Sequence, residues 1–153
     1  MNAAVLCVGK LRERFWREAA DEYEKRLSRF GKFEEIELPD KPESQDAVRV
    51  IREEGAELLR RIRPDDIVVA LCIEGKPCSS PELASFMAEQ EKTGRRTVFV
   101  IGGSLGLSPE IVHRAQYRLS FSPMTFPHQL ARVMLLEQIY RACKINAGER
   151  YHK

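Results

Sequence analysis

The sequence predicts an α/β fold: a mostly parallel sheet of five to six strands with helices on both faces. Three observations carry this reading. Short apolar runs alternate with longer amphipathic stretches five times along the chain, the order that builds parallel βαβ units. The runs are apolar throughout, as strands covered on both faces must be. Neither an internal repeat nor a linker divides the 153 residues, so a single domain with its own core is expected.

Each element has a local reason. Ala3 to Val8 is a short apolar run closed by Gly9, which suits a buried strand. From Leu11 to Phe30 apolar residues recur at 11, 15, 19, 23, 27 and 30 with charges between them, an amphipathic helix that Gly31 stops. Phe33 to Leu38 reads as a strand with alternating glutamates on one face, and Pro39 to Asp46 as the most mobile internal loop. Val48, Ile51, Gly55, Leu58 and Ile62 stripe a second helix that ends before Pro64. Ile67 to Ile73 is the strongest strand pattern; Ser80 as N-cap and Pro81 at N1 then start a helix to about Lys92. Thr97 to Ile101 is a strand leading into a glycine turn, and Ser108-Pro109-Glu110 caps a short helix. Arg118 to Ser122 is the last strand, and Pro127 to about Ala147 the last helix.

Composition excludes several classes. With 43% hydrophobic and 31% charged residues, the chain is ordinary for a globular protein. No apolar run approaches the ~18 residues that span a bilayer. Met1 to Gly9 lacks a basic flank, so it reads as a strand and not a signal peptide. The four cysteines, Cys7, Cys72, Cys78 and Cys143, form no C-x-x-C pair and have no histidine at zinc spacing. They read as free thiols, Cys7, Cys72 and Cys143 buried, and a cytoplasmic location and no metal are expected. The net charge of +2 is uneven: residues 128–153 carry five Lys and Arg against two Glu, leaving −1 for the rest. A basic tail, Glu149-Arg150-Tyr151-His152-Lys153, points to a polyanionic substrate.

Ligands of open parallel sheets sit beyond the carboxyl ends of the strands. Three such ends are informative: Leu71 to Lys76, Ile101 to Gly106, and Phe121 to Phe126. The turn Ile101-Gly102-Gly103-Ser104-Leu105-Gly106 is not a dinucleotide fingerprint, since position 101 is not glycine, and no G-K-[ST] follows to make a P-loop. Pro123 and Pro127 stiffen the next loop, where Phe121, Met124 and Phe126 could wall an adenine pocket or simply join the core. The last helix is apolar over more than one stripe, through Leu130, Val133, Met134, Leu135, Leu136, Ile139 and Tyr140. That breadth predicts a second face buried in a two-fold homodimer.

Taken together, several segments carry a resemblance along the whole chain. They are Val8-Gly9-Lys10, Glu22-Tyr23, Lys25-Arg26-Leu27, Glu54-Gly55, Glu74-Gly75-Lys76, Phe99-Val100-Ile101-Gly102-Gly103 and Leu119-Ser120-Phe121-Ser122. Met124-Thr125-Phe126-Pro127-His128-Gln129, Glu137-Gln138, Tyr140-Arg141-Ala142 and Tyr151-His152-Lys153 complete them. The chain resembles the small knotted SPOUT-class methyltransferases that act on N3 of a pseudouridine in 23S ribosomal RNA. The resemblance implies S-adenosylmethionine as methyl donor, a C-terminal deep trefoil knot, a homodimer, and the assembled ribosome as partner. It places cofactor contacts at Leu71, Gly102, Phe121, Ser122, Pro123, Met124, Thr125 and Phe126. Leu105 departs from the pattern, where relatives often carry a small or polar residue, and leaves that assignment standing.

Methyl transfer from a sulfonium asks mainly for positioning, and the protonated N3 imide for a base or a stabilising cation. His128, Arg132, Tyr151 and His152 are the candidates. His128 stands at a helix start, which suits a neutral imidazole, for a base or for a simple packing histidine. Arg132 is expected to meet a phosphate or the imide oxygen. Tyr151 and His152 lie in a tail disordered by default and would hold the target base, from this subunit or its partner. Glu137 is expected to pair with Arg141, and His113 to be plain surface. A non-catalytic ribosome- or nucleotide-binding module would use the same cleft. A small hydrolase would need a G-x-S-x-G elbow that the sequence lacks.

Overall fold

The computed structural model describes residues 1–42 and 46–153. Five strands, β1 (Asn2–Val8), β2 (Lys32–Leu38), β3 (Ile67–Lys76), β4 (Thr97–Ile101) and β5 (Tyr117–Leu119), form one sheet in the order β2-β1-β4-β3-β5. Every pairing is parallel. The helices are α1 (Arg14–Leu27), α2 (Ala47–Arg61), α3 (Ser80–Thr93), α4 (Pro109–Arg114) and α5 (His128–Asn146). The mobility expected of residues 39–46 falls partly on 43–45, outside the described residues.

Strand alternation divides the core into two layers. Val5, Cys7, Val69, Phe99 and Ile101 point to the side covered by α1, α3 and α5. Ala4, Leu6, Val8, Val68 and Val100 point to the side covered by Leu58 of α2 and Ile111 of α4. Both faces are thus closed, as the continuous apolar runs require.

Several boundaries differ from the sequence reading, four of them for a reason visible in the structure. Helix α1 starts at Arg14 and not Leu11, because Gly9 takes φ +90° and Leu11 N–H donates to Glu37 at 3.2 Å, committing that amide outside the helix. Helix α3 is capped by Ser79 and not Ser80. The Ser79 hydroxyl accepts from Glu82 N–H, the Glu82 carboxylate accepts from Ser79 N–H, and the Ser80 hydroxyl is committed to Gln138 at 2.5 Å. Strand β3 runs on to Lys76, because Leu119 is opposed by Leu71 and by Lys76 at once, with an irregularity between. Strand β5 stops at Leu119, where the Ser120 hydroxyl turns to the Ser122 carbonyl and Met124 N–H to the Ser122 hydroxyl.

Helix α5 lies between α1 and α3 on the sheet, and Leu135, Leu136, Ile139 and Ala142 are fully covered. Much of its broad apolar circumference is therefore spent inside one chain, so breadth alone is a weaker argument for a dimer than the sequence suggested. Leu130, Val133 and Met134 remain half-buried on its outer side. No described helix is long and apolar enough to cross a membrane.

Candidate functional site

The ends of β4, β3 and β5 are neighbours in the sheet, and Leu71 faces Leu119 across the last pair. The Gly102 turn and the loop after β5 therefore leave one edge of the sheet on either side of β3. Gly102 is buried, and a Cβ there would stand 2.7 Å from the Gly106 carbonyl group. Gly106 N–H closes the turn on the Gly103 carbonyl at 3.1 Å. Gly106 itself takes φ +88° with open space where a side chain would project, so ligand atoms can approach its backbone closely.

Helix α2 clamps this turn. The Glu54 carboxylate lies 3.2 Å from the position a Gly103 Cβ would take, and Gly55 lets Ser108 pack against the helix backbone. Glu54 is only 5% exposed. Burial raises its pKa, although Lys41 N–H donates to it. The sequence showed this residue only as part of the resemblance; its one physical signal was a carboxylate beside the apolar stripe of α2.

Beyond β5, Ser120 is buried, Phe121, Ser122 and Phe126 are half-buried, and Pro123, Met124 and Thr125 are exposed. Phe121 walls a cleft of about 490 Å³, with Ser80, Met134 and Glu137 on its other sides. Met124 is 71% exposed and does not line this cleft.

Arg132 corrects an expectation. It is 1% exposed, and its guanidinium donates to Glu37 at 2.6 Å, to Glu35 at 3.2 Å and to the Gly9 carbonyl at 2.6 Å. A side chain so enclosed meets carboxylates, not phosphate or an imide. The glutamates that the strand pattern placed on one face of β2 are the reason. Glu35 and Glu37 stand beside Val5 and Cys7, facing α5. Burial opposes ionisation of Glu37, but hydrogen bonds from Arg132 and Arg17 outweigh it and lower its pKa. For Glu35 burial wins over Arg132 and raises its pKa, and its buried Oε2 has no hydrogen-bond partner among the described residues. His128, one turn before Arg132, brings Nε2 to 3.8 Å from the position a Gly9 Cβ would take, and the Asp40 side chain lies 3.9 Å from the same point.

The tail is ordered against its own chain. Tyr151 stacks edge-on to Tyr140 at 5.0 Å, lies under Arg141 at 4.7 Å, and its hydroxyl donates to Glu137 at 3.2 Å. Burial and Glu137 push its phenol up to about 12; the hydroxyl is a donor at neutral pH, not a base. His152 Nδ1 accepts from Arg141 at 3.3 Å. The Glu137–Arg141 pair forms as expected, at 2.7 Å. Glu137 is nine residues along α5 from His128, ~14 Å of helix axis. One chain thus holds His128 with Arg132, and Tyr151 with His152, but does not bring the two pairs together.

Burial raises the thiols of Cys7, Cys72, Cys78 and Cys143, so none is primed as a nucleophilic thiolate. Cys72 is half-buried, where burial was expected. The described residues contain no group of three or more potential metal ligands. A rigid backbone turn, an adjacent apolar wall and a nearby imidazole suit a reaction governed by positioning between two bound molecules.

A family model described as "Predicted SPOUT methyltransferase" matches residues 1–152. The chain is 50% identical over 159 residues to the protein named Ribosomal RNA large subunit methyltransferase H of Clostridium novyi (strain NT), covering all of both. It is 51% identical over 159 residues to the protein of that name in Bifidobacterium animalis subsp. lactis (strain AD011), again covering all of both. Among solved structures, a probable methyltransferase from Bordetella pertussis Tohama I matches with TM-score 0.59 at 14% identity, over 93% of this chain and 94% of that one. A probable methylase family protein from Haemophilus influenzae Rd KW20 matches with TM-score 0.56 at 14% identity, over 99% and 70%. These two speak to the fold alone.

Proposed function

The chain belongs to the SPOUT methyltransferase family, and from that premise we propose that it methylates N3 of a pseudouridine in 23S ribosomal RNA. The donor is S-adenosylmethionine and the substrate the assembled ribosome, which implies a cytoplasmic enzyme. The observation that carries this reading is end-to-end alignment, near 50% identity, with relatives named for large-subunit ribosomal RNA methylation.

Bound S-adenosylmethionine supplies an electrophilic methyl group. The chain's part is to hold donor and acceptor in line. Leu71, Gly102 and the run Phe121, Ser122, Pro123, Met124, Thr125 and Phe126 are proposed to hold the donor. Their adjacent strand ends and the open backbone over Gly106 support this. His128 is proposed to receive the N3 proton, directly or through water. Arg132 acts through Gly9 as a positioning residue. Tyr151 and His152 are proposed to hold the target base in the site of a partner subunit. The separation along α5 supports that arrangement, because two α5 helices packed antiparallel through Leu130, Val133 and Met134 would carry each tail toward the other's His128. A deep trefoil knot belongs to the same reading; the double opposition of Leu119 and the approach of Gly75 to the Arg118–Leu119 backbone support it.

Calorimetry with S-adenosylmethionine, followed by mass spectrometry of 23S RNA after incubation with unmethylated ribosomes, tests the proposal. Binding and one added methyl on a pseudouridine are expected. No binding at millimolar ligand, or methyl on another base, overturns it.

A further inference from the structure

We propose that Lys10–Trp16, the stretch joining β1 to the first turn of α1, is an RNA-docking element in which an unpaired base stacks on Phe15 and phosphates meet Lys10, Arg12 and Arg14. The inference rests on the ribosomal RNA reading above.

Its residues are Lys10-Leu11-Arg12-Glu13-Arg14-Phe15-Trp16, three cations and two aromatics in seven positions. Phe15 is 61% exposed, and half-buried Trp16 backs it with ring centroids 4.9 Å apart. A phenyl ring held in water by a second ring, among cations, is what stacking on single-stranded RNA requires. Lys10 forms no ion pair among the described residues. The pairs Arg12–Asp40 at 4.0 Å and Arg14–Glu18 at 2.6 Å are exposed on both sides, so a phosphate can displace those carboxylates at little cost. The helix dipole does not account for the cations, since positive charge near the start of α1 opposes it.

The element is also tied to the site. Arg132 holds the Gly9 carbonyl at 2.6 Å, while Glu37 accepts from Leu11 N–H at 3.2 Å and from Arg17 at 3.0 Å. Those bonds fix both ends of the stretch, and Gly9 is the neighbour of His128. A nucleotide on Phe15 is therefore held at a set offset from the imidazole. The Arg132–Glu37 pair, whose guanidinium is buried and reaches no RNA, gives the contact its geometry.

Methyl transfer to unmethylated 70S ribosomes by the full chain tests this with Phe15→Ala, Phe15→Trp and the double change Lys10→Ala/Arg12→Ala. For Phe15→Ala the ribosome KM should rise about ten-fold with kcat unchanged. Phe15→Trp should keep the KM. The double variant should lower the log–log salt slope of ribosome affinity by about 0.7 to 0.9 per cation removed. S-adenosylmethionine affinity and sedimentation should match the unsubstituted chain in all three. An unmoved ribosome KM in both alanine variants overturns the inference. So does a changed sedimentation coefficient for Phe15→Ala, which would make the patch a contact between copies. Should Phe15→Ala fail to fold, the exposed double variant decides by the same readouts. If the unsubstituted chain leaves ribosomes unmethylated, the functional reading fails and this inference with it.

Discussion

Arg132 shows how much one side chain decides. Removing its guanidinium leaves Glu35 enclosed without a cation and Glu37 with Arg17 alone. Arg132→Met should cost about 3 to 5 kcal/mol, read by urea denaturation, and Arg132→Lys should recover only part, since an ammonium cannot span three acceptors. The pH dependence has a definite sign. The folded pKa of Glu37 lies below its ordinary 4.5. Its contribution is present above 4.5 and lost as pH falls through the folded value. Asp66, whose burial is outweighed by Arg96, behaves in the same way below its ordinary 3.8. Glu35 has the opposite sign: its contribution is present below 4.5 and lost as pH rises through its raised value. Glu37→Gln should therefore flatten the acid limb of a stability–pH curve; an unchanged limb would remove Glu37 from this account. Gly102 is a second single-residue test. A Gly102→Val side chain would have to occupy space 2.7 Å from the Gly106 backbone, so S-adenosylmethionine binding should weaken about a hundred-fold, or about 2.8 kcal/mol, with the circular dichroism of the fold retained.

At the scale of elements, the capping box of α3 separates two adjacent serines. Ser79→Ala should cost about 1 kcal/mol through the lost cap, measured by thermal unfolding, while Ser80→Ala should act through Gln138 of α5 instead. Local chemistry alone could not choose between them, because either serine precedes a proline-started helix plausibly; the long-range bond from Ser80 to α5 settles it. The same limit recurs elsewhere. Strand and helix order was legible because period and punctuation are local properties. The extension of β3 to Lys76 was not, because it depends on Leu119 arriving from more than forty residues away. The glycine turn and the Phe121 loop could be read as site elements from residue type. The partners of Arg132 could not, since an inward-facing glutamate on an edge strand looks like a solvated one until the helix that answers it is known.

Across the whole molecule, most of the large exposed apolar side chains among the described residues lie toward one end, Tyr117 at the start of β5 being the exception. Phe15, Val48, Leu105 and Met124 lie in the crossovers that follow β1, β2, β4 and β5 or in the first turn beyond, and Ile73 lies in the last part of β3. The opposite end, where Arg96 joins Asp66 and Glu34, is closed by ion pairs. Partners should therefore arrive at the carboxyl edge of the sheet. Removing Tyr151 to Lys153 should leave S-adenosylmethionine affinity intact and lower ribosome methylation; full turnover without the tail would exclude it from the reaction.

The arch of residues 72–75, passing over the point where Leu119 meets both Leu71 and Lys76, also constrains the order of assembly. Neither side of that junction can reach its final place before the other has been synthesised and the β4 strand between them has been laid down. Refolding after dilution from denaturant should accordingly be slow for a chain this short, in the range of seconds or beyond. Gly75→Ala, whose methyl would press on the Leu119 backbone, should lengthen it further.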